Sequence, residues 1–241
     1  MLVFRSALFN LVFYLNLVVF LVLGFWFLFT PRSWSMWALK QWAKSSLWWL
    51  KVIAGTHMEV RGREHIPHAA ALLAGKHQSF WDIFALLPLL DDPALVLKKE
   101  LTLIPLFGWF CMKFRMIAVD RSAGTSALKK MTADARQAVS DNRQVMIFPE
   151  GTRSAPGAAP DYKPGAAALY LQMGVACTPF ALNSGLFWPR RQFIRRPGTI
   201  IVEFLPAIEP GLNRKAFAAR LQDDIETATD ALLHDAGQSP G

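Results

Sequence analysis

The sequence predicts an α/β fold: a mixed, largely parallel sheet flanked by helices, preceded by an N-terminal membrane-associated two-helix segment. Three observations carry this prediction. Short apolar or β-branched runs recur along the body of the chain, amphipathic patterns at helical spacing fall between them, and the opening stretch is almost wholly apolar. A chain of 241 residues suits one sizeable domain plus an appendage. The expected division is a membrane-anchoring helical segment over 1–55, an α/β domain over 56–236 and a flexible tail over 237–241.

From Ala7 to Phe29 only Asn10, Asn16 and Gly24 interrupt the apolar run. As a helix it would be about 35 Å long, enough to cross a hydrocarbon core. It runs into Phe25-Trp26-Phe27-Leu28-Phe29 rather than a small-residue cleavage site, which argues against a signal peptide. Thr30-Pro31 breaks the helix, and Trp34 to Ala54 reads as a second one. Lys40, Lys44 and Lys51 lie on one narrow stripe of it, with Trp34, Trp37, Trp42, Trp48 and Trp49 over the rest. Tryptophans with snorkelling lysines suit a helix at headgroup level. Setting Arg5 against Arg32, Lys40, Lys44 and Lys51 places the main body in the cytoplasm if the first helix spans the bilayer. Entry into a single leaflet is the other reading, under which that count no longer applies.

In the main body the strand-like runs are Met58–Val60, Ala71–Ala74, Leu95–Leu97, Met116–Val119, Val145–Phe148, Val175–Leu182 and Thr199–Leu205. Helical patterns are expected over Ile83–Leu90 and Ala127–Ser140. A third places Phe217, Leu221, Ile225, Ala228 and Leu232 on one face behind an Asn213 cap. Ser154–Pro160, rich in Ala, Pro and Gly, reads as a loop.

The net charge of +8 favours anionic partners. The basic residues are scattered and no recognition motif appears, so nucleic acid is not expected among them. Cys111 and Cys177 are far apart, without the spacing of a disulfide framework or a thiolate zinc site.

Two segments carry chemistry. Gly75-Lys76-His77-Gln78-Ser79-Phe80-Trp81-Asp82 follows a strand-like run and precedes a helix-like one, where α/β proteins place active groups. Five residues turn a helix through roughly 500°, leaving His77 and Asp82 about 140° apart. They meet only if His77 sits in the loop and Asp82 reaches back from the first turn, where it would orient the imidazole as a general base. A plain capping arrangement, with Ser79 as N-cap and Asp82 near the helix dipole, accounts for the same residues. In the second segment, Val145 to Phe148 ends abruptly in Pro149-Glu150-Gly151-Thr152-Arg153-Ser154. Glycine lets backbone approach a ligand, and Arg153 can fork onto a phosphate or carboxylate. The cluster Trp188-Pro189-Arg190-Arg191 with Phe193, Arg195 and Arg196 reads equally as a contact for anionic lipid heads or as a solvated loop.

In order along the chain, His77-Gln78-Ser79-Phe80-Trp81-Asp82, Met116 to Arg121, Phe148 to Ser154 and Val175 to Phe180 resemble the four blocks of the glycerolipid acyltransferase family. That family is typified by the 1-acyl-sn-glycerol-3-phosphate acyltransferases. Lys98-Lys99-Glu100-Leu101 and Lys163 with Gly165 resemble its connecting signatures, so the likeness runs over roughly residues 57 to 210. It implies acyl transfer from a thioester, as acyl-coenzyme A or acyl carrier protein, to the free hydroxyl of lysophosphatidic acid. His77 would be the base and Asp82 its orienter. Arg121 and Arg153 would hold the acceptor's phosphate, Lys98, Lys99 and Lys163 would add charge, and Glu150, Gly151 and Thr152 would shape the site. No metal or cofactor is implied. The expected partners are membrane lipids and the two substrates, at a bacterial-type inner membrane with the catalytic domain on its cytoplasmic side. A lyso-aminolipid or another lysophospholipid is the alternative acceptor. A non-catalytic basic protein at a membrane surface is the alternative of another class; it explains the charge and the tryptophans but not the joint presence of His77, Asp82, Glu150 and Arg153.

Overall fold

The computed structural model describes residues 1–237. The expected tail beyond Gly237 lies outside the described residues. Helix α1 (Leu2–Leu23) runs into a 3₁₀ stretch, Gly24–Phe29, and α2 (Arg32–Trp49) closes in a π turn, Leu50–Ala54. The body follows as β1 (Thr56–Arg61), β2 (Ala71–Gly75), α3 (Trp81–Ala85), β3 (Pro93–Lys98), α4 (Phe107–Lys113), β4 (Ile117–Val119) and α5 (Gly124–Ser140). It continues with β5 (Gln144–Ile147), α6 (Gly165–Met173), β6 (Cys177–Leu182), α7 (Ser184–Phe187), β7 (Gly198–Phe204) and α8 (Arg214–Asp235).

The sheet is seven-stranded in the order β1-β7-β6-β2-β5-β3-β4, and only the β6–β7 pair is antiparallel. Each expected run is a strand, within two residues at its ends. The period of two divides the core. Leu73 and Met146 face a cluster with residues of α1 to α4, whereas Leu72, Ala74, Val145 and Ile147 face another built from α5, α6 and α8. A mixed, mostly parallel sheet is therefore covered on both faces, as parallel sheets require.

One expectation about helices needs correction. The pattern over Ile83–Leu90 yields a true helix only to Ala85; Pro88 cannot continue an α-helix, and Leu87–Leu89 tightens into a 3₁₀ turn. Helices α4 and α6 had no clear amphipathic signal, and α6 is buried over most of its surface. The Asn213 cap is present, its side chain accepting from the Ala216 N–H at 2.9 Å.

The N-terminal helices share the main core rather than standing apart. Phe9 and Phe13 of α1 and Met36, Leu39 and Trp42 of α2 join Phe84, Phe180 and Phe204 in one cluster. Trp42 is thus a core residue, not a headgroup anchor. Lys40 donates to the carbonyls of Leu90 and Asp91 at 2.6 and 2.8 Å, so of the lysine stripe only Lys44 and Lys51 are free to snorkel. Apart from the exposed Tyr14, the polar side chains of α1 find protein: Arg5 donates to Ile53 O, Ser6 bonds the Arg195 backbone, Asn10 donates to Phe193 O and Asn16 to Ser45 and Ser46. The outer face keeps Leu8, Leu11, Leu15, Val18, Val19 and Val22 exposed at helical spacing. Leu2–Phe29 is the one helical stretch among the described residues long and apolar enough to cross a membrane.

Asp92, just before β3, ties α2 to the sheet. Arg32 grips it with both terminal nitrogens, one at 2.6 Å, and Arg143 Nε lies 3.3 Å away. Arg143, 1 % exposed, also donates to the carbonyls of Pro93, Phe114 and Arg115. Burial would raise the Asp92 pKa, but the Arg32 hydrogen bonds and the Arg143 charge outweigh it and hold the carboxyl below its ordinary value. Asp92→Ala should cost about 3 kcal/mol by denaturant unfolding in detergent, because it strands a buried guanidinium. The folded-state pKa is depressed, so this stabilisation is complete above the ordinary carboxylate pKa of about 4 and is lost as pH falls through the lower folded value. Unfolding midpoints of the wild type and the variant should therefore converge at acid pH.

Candidate active site

The parallel strands aim their carboxyl ends at one edge, and the chemistry gathers there. His77 follows β2, Lys98 ends β3, Arg121 follows β4, Phe148 to Arg153 follow β5 and Ser184 follows β6. Segments distant in sequence become neighbours because their strands pair in this order.

His77 and Asp82 meet as the helix geometry demanded. His77 lies in the loop, Asp82 is in the first turn of α3, and His77 Nδ1 is 2.9 Å from Asp82 Oδ2. The same oxygen accepts the N–H groups of Gln78 and Ser79, both at 2.8 Å, and Oδ1 accepts the Ser184 hydroxyl. A carboxylate surrounded by donors leaves only the donor role to His77 Nδ1, which fixes the tautomer with Nε2 as the unprotonated nitrogen. Asp82 is fully buried, and the imidazole stacks on Phe148 with centroids 4.1 Å apart and planes 18° apart. Of the capping alternative, Phe80 rather than Ser79 is the N-cap, although Ser79 Oγ accepts from Trp81 N–H at 3.1 Å and Asp82 does lie in the first turn. Asp82 serves the helix start and the histidine at once.

Beside this pair, Gly151 holds a left-handed φ of 67°, and a Cβ there would lie 3.6 Å from the Arg121 guanidinium carbon. Arg121 therefore lies over the turn of the Pro149–Arg153 segment. Arg153 is half-buried, and its carbonyl accepts from Arg190 at 2.8 Å. Burial first, then the neighbouring charges of Arg190 and Arg191, lower the Arg153 pKa against the opposing pull of Asp82. Guanidiniums crowded in this way favour an anion among them.

The remaining expected residues sit further out or turn elsewhere. Lys98 and Lys99 are exposed and paired with Glu100 at 2.8 Å and Asp120 at 3.1 Å; Lys163 pairs with Asp161. The Asp120 carboxyl is held down to about 2, chiefly by Ser122 and then by Lys99. Thr152 is exposed. Glu150 turns inward, its carboxylate 3.2 Å from Lys76 Nζ and accepting from Ser154 Oγ at 2.6 Å. Of the Trp188–Arg196 cluster, Trp188 is buried with Arg195 stacked over it at 4.4 Å, leaving Arg190, Arg191, Phe193 and Arg196 outside. Ser184 and Lys76 were not anticipated from the sequence. A serine or lysine has no spacing signature, although Lys76 adjoins His77.

A mostly parallel sheet that gathers a histidine–carboxylate pair and arginines at its carboxyl edge defines an α/β protein, and the one apolar N-terminal helix packed on it is consistent with membrane association. The chain belongs to the Acyltransferase family, whose model matches residues 57–183. It is 36% identical to a 1-acyl-sn-glycerol-3-phosphate acyltransferase of Pseudomonas aeruginosa over 170 residues, which cover 70% of this chain and 66% of that one. It is 28% identical to the mouse 1-acyl-sn-glycerol-3-phosphate acyltransferase alpha, covering 76% and 64%. The chain thus spans just under two thirds of the length of these relatives. The crystal structure of the 1-acyl-sn-glycerophosphate acyltransferase of Thermotoga maritima shares the fold, with a TM-score of 0.82 over 96% of this chain and 98% of that one at 21% identity.

Ser184→Ala removes one hydrogen bond to the buried carboxylate without touching His77. Its unfolding free energy in detergent should fall by about 1.5 kcal/mol, the worth of a bond to a charged group, as read by denaturant titration.

Proposed function

We propose that this protein is a membrane-bound O-acyltransferase that moves an acyl chain from a thioester donor to the sn-2 hydroxyl of 1-acyl-glycerol-3-phosphate. The observation that carries the reading is His77, locked by Asp82 into one tautomer beside the Arg121–Gly151–Arg153 turn. The names of the relatives support the acceptor, and the crowded guanidiniums support a phosphate monoester over a neutral head group.

In this reading His77 Nε2 takes the acceptor's hydroxyl proton as the oxygen attacks the thioester carbonyl, and Asp82 stabilises the imidazolium that forms. The tetrahedral intermediate collapses by breaking the carbon–sulfur bond. The thiolate leaves and recovers the proton from His77, so an ester and a free thiol are formed and the enzyme is regenerated. Arg121 and Arg153 hold the phosphate, converting attack into a step within one complex.

The membrane reading follows from how α1 is held. Its start is bonded to the 193–195 loop and its end packs on α4, with the Phe20 and Phe110 rings 5.4 Å apart and Lys113 bonded to Thr30 O. A spanning α1 would carry one of these body contacts across the bilayer. Lying along the interface in one leaflet, it exposes only its apolar stripe to lipid. The charge count across a span then has no bearing, and the cytoplasmic leaflet follows from the supply of acyl thioesters.

His77→Ala should abolish transfer of a labelled acyl chain to lysophosphatidic acid while membrane binding in flotation stays intact. Retained transfer, or equal transfer to lysophospholipids with larger head groups, would sink the corresponding half of the proposal. For the topology, cysteines placed at Val3 and Ser33 should both react with an impermeant maleimide in inverted membrane vesicles. Labelling from opposite faces would mean a span.

A further inference from the structure

Beneath the site lies a buried charge cluster that the proposed chemistry does not use. The Lys76 ammonium, 2 % exposed, is held by two carboxylates: it donates to Glu226 Oε1 and Oε2 at 2.8 Å each, and it pairs by charge with Glu150 Oε1 at 3.2 Å. Glu226 comes from α8, beyond the stretch matched by the family model, and also accepts the Tyr162 hydroxyl at 2.9 Å. Burial, with Glu226 and Glu150 nearby, pushes the Tyr162 phenol well above its usual range and keeps it a donor.

These bonds form a closed path. Glu150 Oε2 accepts Ser154 Oγ at 2.6 Å, Ser154 N–H donates to the His77 carbonyl at 2.8 Å, and His77 follows Lys76 in the chain. The peptide carrying the histidine is therefore tied twice to the Pro149–Ser154 turn, once through its own carbonyl and once through its neighbour's ammonium. Glu226 holds that ammonium from outside the loop and accepts both of its hydrogen bonds. With Glu226 removed, a buried ammonium must lean wholly on Glu150, pulling that carboxylate from Ser154 and loosening the backbone of His77.

We infer that Glu226 of the C-terminal helix is a positioning residue for the reaction, acting through Lys76 and Glu150 on the backbone that carries His77. This rests on the proposed acyl transfer for its kinetic meaning only. The cluster carries two carboxylates against one ammonium, so a stabilising role alone would be met equally well by an apolar trio. The closed path to His77 is what an apolar trio could not supply.

The test uses the full-length protein in detergent micelles, with Glu226→Ala and Glu226→Gln compared with wild type for kcat, for KM of lysophosphatidic acid, for thermal midpoint and for the side-chain ¹⁵N signals of His77. The alanine variant should lose about tenfold or more in kcat, corrected for folded fraction, with KM changed less than about twofold. The glutamine variant keeps an acceptor but not the charge, and should lose about threefold. Both should shift the His77 ¹⁵N signals away from the tautomer bonded to Asp82, in the same order. Should the alanine variant fail to fold, the glutamine variant decides alone. Corrected kcat within twofold of wild type, or unmoved His77 signals in a folded variant, would overturn the inference and leave Glu226 a structural brace. If the wild type transfers no acyl chain to any lysolipid, the proposed function fails, while the ¹⁵N signals still decide the role of Glu226.

Discussion

The arrangement of the site depends on the saturation of one buried carboxylate. Asp82 accepts from a histidine ring and two backbone N–H groups of the 77–80 loop and from the serine hydroxyl that opens α7. The N–H bonds fold the 77–80 loop over the start of α3, the imidazole bond sets a tautomer, and the hydroxyl binds α7 to both. A fully buried carboxylate is costly unless its lone pairs are filled, so the same bonds that offset its desolvation also define the loop. Fixing the loop and fixing the tautomer are one event. A short helix suffices, because α3 need only present Asp82 in its first turn.

The loop is held from below by a second kind of contact. Phe13 of α1 lies against Phe80 of the loop, Phe84 of α3 and Trp188 at the end of α7, with centroids between 5.5 and 6.0 Å. Phe9 meets Trp188 edge-on at 5.4 Å. The helix with the exposed apolar stripe thus packs on α3, which carries Asp82, and on the end of α7, which carries Ser184. Burying such rings contributes about 1.5–3 kcal/mol each, so detaching α1 would strip the support of the loop as well as the anchor. The apolar N-terminal helix and the order of the His77 loop are coupled through one aromatic cluster.

Much of this was legible in the residues. The strands could be read because those of a covered parallel sheet are continuous apolar runs, and α5 and α8 because each buries one stripe. The constraint on His77 and Asp82 followed from helix angles alone. Helix α6 was illegible for the opposite reason: it is buried nearly all round and leaves no periodic contrast. The anchor was read from composition, which identifies an apolar surface but not which part of it meets protein. Trp42 and Lys40 turned inward for packing reasons that no window of sequence contains. Arg121 and Gly151, thirty residues apart, could be joined only by resemblance, because their contact arises from β4 and β5 flanking β3 in the sheet.

Glu226 marks where such reading ends. On α8 it adjoins Ile225 of the buried face, and a glutamate beside an apolar stripe on a 22-residue helix reads as solvated. Nothing near it in the chain carries chemistry. Its partner Lys76 belongs to a loop 150 residues earlier, and the ion pair exists because α8 packs across β6, the neighbour of β2. A buried ammonium forms no stable state by itself, so the lysine next to the histidine implied a carboxylate somewhere. Glu150 in the adjoining turn offsets the charge but accepts no hydrogen bond from the ammonium. Counting donors rather than charges is what calls for a second carboxylate, and only the helix that closes the sheet supplies it. The C-terminal helix is therefore tied into the loop that bears His77, and the reacting end of the molecule is braced by elements from both ends of the chain.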